Sequence, residues 1–381
     1  MGNLALPKTP TMKLSVITSP EDFYSLREEW NGLLLQSDSD VIFLRWEWLY
    51  NWWLVYGTGL HKLYILIVKE NDRLVGIAPF YIRRDGLLFR KEISFLGTNV
   101  VCSDYMDLIL QKGREKEVSS LMFSHLNERN DVWDTMRLTD IPQESRTLAL
   151  ITASFQDKRL KINKTHTTCP YLKLSVPWER IRDSYSSMIK NNLARKIKKF
   201  EDAYKGEIVE VGPEEDWDFY FDKLLFLNKL RMGQKNLNSS FLERQFVDFH
   251  KSIIQAFIKN NEVKFIFLRI GGKLIAGIYL LADHRRYYYY QSGFDPEWEK
   301  ISPGTLLFDY AIKHAHKHGM EEFDFLQGNE KYKSLWTHTS RRNIKITVYK
   351  HSMANCVLSL YEDGKLGLKS WRRFLPHGEE E

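Results

Sequence analysis

The sequence predicts an α/β protein of two domains built to one plan, and three observations carry that prediction. First, LYILIVKENDRLVGIAPFYIRR (Leu63 to Arg84) and VKFIFLRIGGKLIAGIYLLADH (Val263 to His284) each read as strand, polar turn, strand. Both place a basic residue and a leucine before a small apolar run, Arg73-Leu74-Val75-Gly76 against Lys273-Leu274-Ile275-Ala276. Their turns, Asn71-Asp72 and Gly271-Gly272, are hairpin pairs. Second, each hairpin is followed by the same alternation of strands and a helix, which implies two similar domains rather than one large sheet. Third, 381 residues, 43% of them hydrophobic, suffice for two ordinary cores.

The elements follow in order. The Trp-rich stretch with Trp46, Trp48, Trp52 and Trp53 has mixed helical spacing, so most of it belongs to a core. After the first hairpin come strands near Leu88 to Leu96 and Tyr105 to Leu110, a helix through GREKEVSSLMFSHLNE, and a strand near Trp133 to Leu138. A connecting region, about Ser154 to Gly206, holds Cys169-Pro170-Tyr171-Leu172 and the basic helix MIKNNLARKIKKFEDAYKG. Asn228 to Ser240 reads as a polar break between two helices. After the second hairpin come the aromatic strand Tyr287 to Ser292, a helix from Pro303 to Lys317 and a strand at Phe323 to Leu326. We therefore expect domains at 1–165 and 166–370, with a polar tail at 371–381.

Composition limits the function. A net charge of +6 suits anionic small molecules and falls short of a DNA-binding protein. The three cysteines (Cys102, Cys169, Cys356) are scattered without metal-ligand spacing, and His314, His316 and His318 fall on different faces of a helix, so no metal site is expected. No apolar run reaches the roughly 18 residues that span a bilayer, and the N-terminus lacks a secretory pattern, so the expected location is cytoplasmic.

The chemistry concentrates between Tyr287 and Trp336. Ser302-Pro303-Gly304 reads as an N-cap, a first helical residue and an open position, with Thr305 and Leu306 continuing the turn. A helix start of this kind suits a phosphate or pyrophosphate. Beside it, FDFLQGNEKYKSLW gathers Asp324, Gly328, Glu330, Tyr332, Lys333 and Trp336. The first half has Gln111-Lys112-Gly113-Arg114 at the equivalent helix and lacks the turn, so the second half is expected to hold the donor.

These residues, with Phe43-Leu44, Phe95-Leu96-Gly97, Asp104-Tyr105, Cys169-Pro170-Tyr171-Leu172 and Gly293-Phe294-Asp295-Pro296, give the chain a resemblance. It resembles the GNAT-superfamily acyltransferases of the CelD/BcsL type, relatives of the FemAB-like peptidyl transferases. The resemblance implies two tandem GNAT-like domains, each a mixed twisted sheet flanked by helices. It also implies an N-acyltransferase that moves an acyl group from acyl-CoA, a co-substrate rather than a tightly bound cofactor. The acceptor is then the amine of an amino sugar or sugar nucleotide in surface polysaccharide biosynthesis. FemAB relatives use aminoacyl-tRNA instead, and no heptad segment for their coiled-coil arm is visible here. A non-catalytic subunit of a polysaccharide-making complex is the third reading.

On the leading reading, Ser302 to Leu306 hold the pyrophosphate, and amides of Tyr288 to Ser292 receive the thioester oxygen. Tyr332 protonates the leaving thiolate, while Asp295, Asp324 and Glu330 compete as the general base. Asp295 has capping its own turn as a rival role. Asp104, Tyr105, Arg231, Gln291, Lys333 and Trp336 are the candidates to contact the acceptor, with Asp107 beside Asp104. Arg231 and Lys235, with the basic helix, face an anionic acceptor or, for most of the run, solvent. The four tyrosines at Tyr287 to Tyr290 alternate across their sheet, so one pair faces a ligand.

Overall fold

The computed structural model describes residues 12–84, 90–98, 100–129, 131–155, 160–234 and 243–350. The tail and Lys235 lie outside these.

The first half runs β1 (Met12–Ile17), α1 (Pro20–Ser25), α2 (Arg27–Leu35), α3 (Trp46–Tyr56), β2 (His61–Leu63), β3 (Ile65–Glu70), β4 (Arg73–Ala78), β5 (Phe80–Arg84) and β6 (Lys91–Phe95). It continues with β7 (Ile109–Leu110), α4 (Glu115–Glu128), β8 (Thr135–Pro142) and α5 (Arg146–Ser154). The long strand β9 (Leu160–Lys173) leads into the second half through α6 (Trp178–Asp183) and the basic α7 (Ser187–Lys198). There follow β10 (Glu207–Glu210), α8 (Trp217–Gln234), α9 (Arg244–Phe257), β11 (Val263–Ile270), β12 (Lys273–Ala282) and β13 (Arg286–Phe294). The chain closes with α10 (Pro303–Lys317), β14 (Glu322–Asp324) and β15 (Ser340–Lys350).

The repeat is exact in register. In the β3–β4 hairpin Lys69 pairs with Leu74 and Val68 with Gly76, and in β11–β12 Arg269 pairs with Leu274 and Leu268 with Ala276. Val75 and Ile275 are thus the extra residues of two equivalent β-bulges. Their carbonyls accept equivalent bonds, from Gln111 N–H (3.0 Å) and Asp295 N–H (2.8 Å). All four turn residues, Asn71, Asp72, Gly271 and Gly272, have positive φ, as a two-residue hairpin turn requires.

Where the halves differ, the difference is informative. β13 pairs with β12 along its whole length, with a bulge at Tyr290. In the first half the corresponding pairing is shared between β6, on β5, and β7, on β4. Residues 96–108 are therefore an insertion into one strand, at the place where the second half carries its bulge.

The strands form a four-stranded sheet, β1-β3-β4-β7, and an eleven-stranded one, β10-β11-β12-β13-β14-β9-β15-β8-β6-β5-β2. β9 joins the halves: residues 160–170 pair with β15 and 171–173 with β14. The boundary expected at 165/166 falls inside this strand, and the C-terminal β15 lies between β9 and β8, beside the first half's strands. Pairing of distant segments decides this, and periodicity along the chain carries no trace of it. The four tryptophans Trp46, Trp48, Trp52 and Trp53 are all buried. α8 continues through Asn228 to Gln234, so no break starts at Asn228, and the rest of that stretch lies outside the described residues; Asn228 is buried with its amide donating to the Ser292 carbonyl (2.9 Å).

Candidate functional site

A cleft opens where two strands part. β13 and β14 run parallel and stay paired from Arg286/Glu322 to Tyr288/Asp324. Beyond that point they diverge, and the gap is a cleft of about 730 Å³, a usual size for a ligand site. Tyr289, Tyr290 and Gln291 form one side, Phe325 to Gln327 with Glu330 and Tyr332 the other. Arg231 and Met232 of α8 and Phe246 of α9 enclose it, and Val100, Cys102 and Asp104 reach it from the insertion.

The insertion and the segment after β14 hold each other reciprocally. Tyr105 donates its hydroxyl to Asp324 Oδ2 (2.6 Å), while Gln327 N–H donates to Asp104 Oδ2 (2.7 Å). Asn343 of β15 donates to the other oxygen of Asp104 (3.1 Å), and Leu326 N–H to Asp324 Oδ1 (2.8 Å). Both carboxylates are fully buried. Burial is the first cause that raises the pKa of each, joined at Asp104 by the nearby Asp140 charge. Backbone strain collects here as well: Cys102, Tyr105 and Leu326 have positive φ, a conformation that costs such residues roughly 1–3 kcal/mol. The surrounding bonds compensate for it.

Lys333 completes the frame. Its ammonium is buried and donates to the carbonyls of Gln327 (2.7 Å) and Leu326 (3.3 Å), and it pairs with Glu330 (2.9 Å). The expected contact to the acceptor is thereby corrected: all the donors are engaged, and Lys333 fixes the 326–330 turn. Trp336, expected to touch substrate, is core; it packs on Tyr185 and Phe308.

The three candidate bases separate by environment. Asp324 is sealed among its donors and does not line the cleft. Asp295 caps the short helix after β13 by accepting Glu297 N–H (3.0 Å), which is its local role. Glu330 alone lines the cleft with its carboxylate partly in solvent, at 54% exposure. It lies against Gly328, where any side chain would collide with it (2.2 Å to Oε2).

Asp104 lines the same cleft but is closed from solvent, whereas Tyr105, expected to contact the acceptor, lies outside the lining and bridges to Asp324. Tyr332 stacks on Phe308 (5.7 Å) and meets Tyr289 edge-on (6.3 Å). Burial foremost, then the neighbouring Tyr289 and Glu330, push its pKa up, so its phenol keeps its proton. Arg231 donates to Ser292 Oγ (3.2 Å) and lies over the Phe294 ring, and its buried Nε has no hydrogen-bond partner among the described residues. α8 can bring it there because Gly293 lets the helix backbone approach: an added Cβ would stand 2.3 Å from Asn228 N.

The tyrosine run alternates as expected, with Tyr287 and Tyr289 toward α10 (His314, Phe308) and Tyr288 and Tyr290 toward Phe43 and His250. The cleft, however, takes one from each pair, Tyr289 and Tyr290, because the bulge falls at Tyr290.

The helix start needs correction too. Ser302 adopts positive φ and its side chain makes no cap. Instead its carbonyl accepts Thr305 N–H (2.9 Å) and Leu306 N–H (3.3 Å). Pro303 has no amide, and Pro303 and Leu306 are buried. Gly304 therefore offers the one amide of the turn left to a ligand among the described residues, and no atom lies within 4 Å of where its side chain would be. These residues do not line the cleft; α10 packs behind its wall one turn later, where Phe308 meets Tyr289 and Tyr332.

Residues 187–334 match the family described as "Acetyltransferase (GNAT) domain". A search of the curated proteins finds no match. The chain is similar in structure to FemX, at 10% identity and a TM-score of 0.63, over 92% of this chain and 99% of that one. The fold is a tandem of GNAT-like domains. It is also shared with the C-terminal domain (DUF2156) of a putative lysylphosphatidylglycerol synthetase from Agrobacterium fabrum. That match has 10% identity and a TM-score of 0.51, over 90% of this chain and 96% of that one. L-PGS from Bacillus licheniformis gives 12% identity and a TM-score of 0.51, over 89% and 96%. The cleft lies in the C-terminal GNAT-like domain, the one that the family match covers, and the N-terminal domain contributes its insertion. No helix among the described residues is long and apolar enough to cross a membrane.

The sequence reading missed Val100, Cys102 and Phe325 to Gln327. The insertion had a signal: aligning the two halves leaves 96–108 without a counterpart. The positive φ of Leu326 had none.

Proposed function

We propose that the protein is an acyl-CoA-dependent N-acyltransferase whose reaction takes place in the cleft between β13 and β14. The observation that supports this best is the cleft itself, where an accessible carboxylate, a protonated phenol and an arginine with no carboxylate partner among the described residues converge. The acceptor's ammonium gives its proton to Glu330. The free amine attacks the thioester carbonyl, whose oxygen is met by amides at the edge of β13. The tetrahedral intermediate collapses, the C–S bond breaks, Tyr332 gives its proton to the thiolate, and the second proton that the attacking nitrogen sheds restores the phenol.

Arg231, with the exposed Lys331 on the rim, suits an acceptor that carries phosphate. An amino sugar nucleotide for surface polysaccharide, as in proteins of the CelD/BcsL type, has both the amine and the charge. Gly304 N–H and the start of α10 hold the pyrophosphate of CoA.

A second reading, with aminoacyl-tRNA as donor, is favoured by one observation: the helix start offers a single free amide, a slight grip for a pyrophosphate. Calorimetric titration with CoA and acetyl-CoA separates the two. Binding that Gly304→Glu abolishes supports the acyl-CoA donor. No binding by a folded sample, with product formed from charged tRNA, establishes the second reading.

A further inference from the structure

A line of side chains with a fixed direction leads to the phenol of Tyr332. It begins at Arg231, whose guanidinium can only donate. Its Nη1 donates to Ser292 Oγ (3.2 Å), and the Ser292 hydroxyl meets that of Tyr289 at 2.8 Å. The Tyr332 phenol comes next: its ring meets Tyr289 edge-on, and the two hydroxyls lie within reach of each other.

Each member is held by bonds and packing of its own. Ser292 is buried, with its N–H donating to the side-chain oxygen of Gln291 (3.0 Å) and its carbonyl accepting from the Asn228 amide (2.9 Å). Tyr289 is buried against Phe308 (4.7 Å), on which Tyr332 stacks as well. The packing of these three rings does not use the hydroxyls, so removing one leaves it intact.

A donor-only group at one end orders the whole line. Ser292 accepts from Arg231, which leaves its own hydrogen for Tyr289. Tyr289, accepting from Ser292, turns its hydrogen on the oxygen of Tyr332. Tyr332 thus keeps its own hydrogen for the cleft. When that proton goes to the thiolate, the bond from Tyr289 falls on the phenolate left behind and tightens as the charge develops.

We infer that Tyr289 and Ser292 are positioning residues for the proton transfer: they aim the Tyr332 hydroxyl into the cleft and stabilise its phenolate. The inference rests on the acyl transfer proposed above, with Tyr332 as its acid.

The test measures kcat and KM with acetyl-CoA and UDP-linked amino sugars for the wild type, Tyr289→Phe, Ser292→Ala and Tyr332→Phe. Tyr289→Phe should lower kcat about tenfold with KM changed by less than about twofold, the loss of one hydrogen bond to a developing charge. Ser292→Ala should lower it by a smaller factor. Added to Tyr332→Phe, Tyr289→Phe should have no further effect, which a merely structural role would not produce. The inference alone is overturned if Tyr332→Phe slows the reaction while Tyr289→Phe leaves kcat unchanged or raises it. It is overturned as well if Tyr289→Phe slows Tyr332→Phe further. If Tyr332→Phe leaves kcat unchanged, or the wild type turns over none of these substrates, the reading beneath it fails and the inference with it.

Discussion

Lys333→Met tests the frame of the cleft most directly. The native ammonium is 4% exposed as a side chain and serves two carbonyls and one carboxylate. Its pair with Glu330 adds little, because that carboxylate is more than half exposed and such pairs contribute about 0–1 kcal/mol. The carbonyl contacts matter more. A hydrogen bond from a charged donor is worth about 1.5–3 kcal/mol, and a buried carbonyl left without its donor costs about 1–3 kcal/mol. Against this, Met removes the cost of burying an ammonium and fits the same volume. A net loss of about 2–4 kcal/mol follows, a sizeable part of an ordinary domain's 5–15 kcal/mol. Urea unfolding followed by tryptophan fluorescence measures it, since Trp336 lies in the adjoining core. With the turn released, Leu326 should leave its positive-φ conformation, and ligand binding in the cleft should weaken as well. A loss under about 0.5 kcal/mol would refute the reasoning, because the strained turn would then be holding itself.

Four further outcomes are expected. Tyr332→Phe should lower kcat more than it raises the KM for the donor, and an unchanged kcat removes the phenol from the proton transfer. Glu330→Gln should cut kcat about a hundredfold or more and flatten the acid limb of its pH profile, as loss of a general base does. Gly293→Ala should push α8 off β13 and cost several kcal/mol by thermal unfolding, since the new methyl meets backbone rather than a yielding side chain. His250, whose pKa burial depresses to about 3, is buried between Tyr290 and Tyr279. It costs nothing above its ordinary value of 6.5. As the pH falls from there toward 3, the unfolded chain takes up a proton that the native one refuses. Stability then drops about 1.4 kcal/mol per pH unit, and His250→Gln should remove about 2 kcal/mol of the difference between pH 6.5 and 5.

Much of the fold was legible in the sequence because it is local. The hairpins at 65–78 and 263–282 announce themselves through period-two strands and turn pairs that tolerate positive φ, and their likeness pointed to a duplicated α/β unit. Ser302-Pro303-Gly304 marked a real helix start, and the alternation of Tyr287 to Tyr290 was fixed by the strand period. The site was legible only in part. Glu330, Tyr332, Lys333, Arg231, Gln291 and Asp104 do line one cleft, but Lys333 serves its frame there, as Asp324 and Trp336 do behind it, and Asp295 caps its own turn. Sequence shows which residue types are near; access to solvent and the number of bonds already made decide which are free to react.

The sequence by itself determined two α/β units, the order of their elements and the segment, Tyr287 to Trp336, that lines much of the candidate cleft. Those follow from periodicity and turn chemistry, which act over a few residues. Only the tertiary structure decided that 96–108 leaves its own domain to wall the other's cleft, that β15 returns to the first half's strands, and that Tyr105–Asp324 and Gln327–Asp104 bind the halves together. These contacts join residues more than two hundred positions apart, and they are selected by burial and by the need to satisfy buried carboxylates, which no short stretch of sequence records.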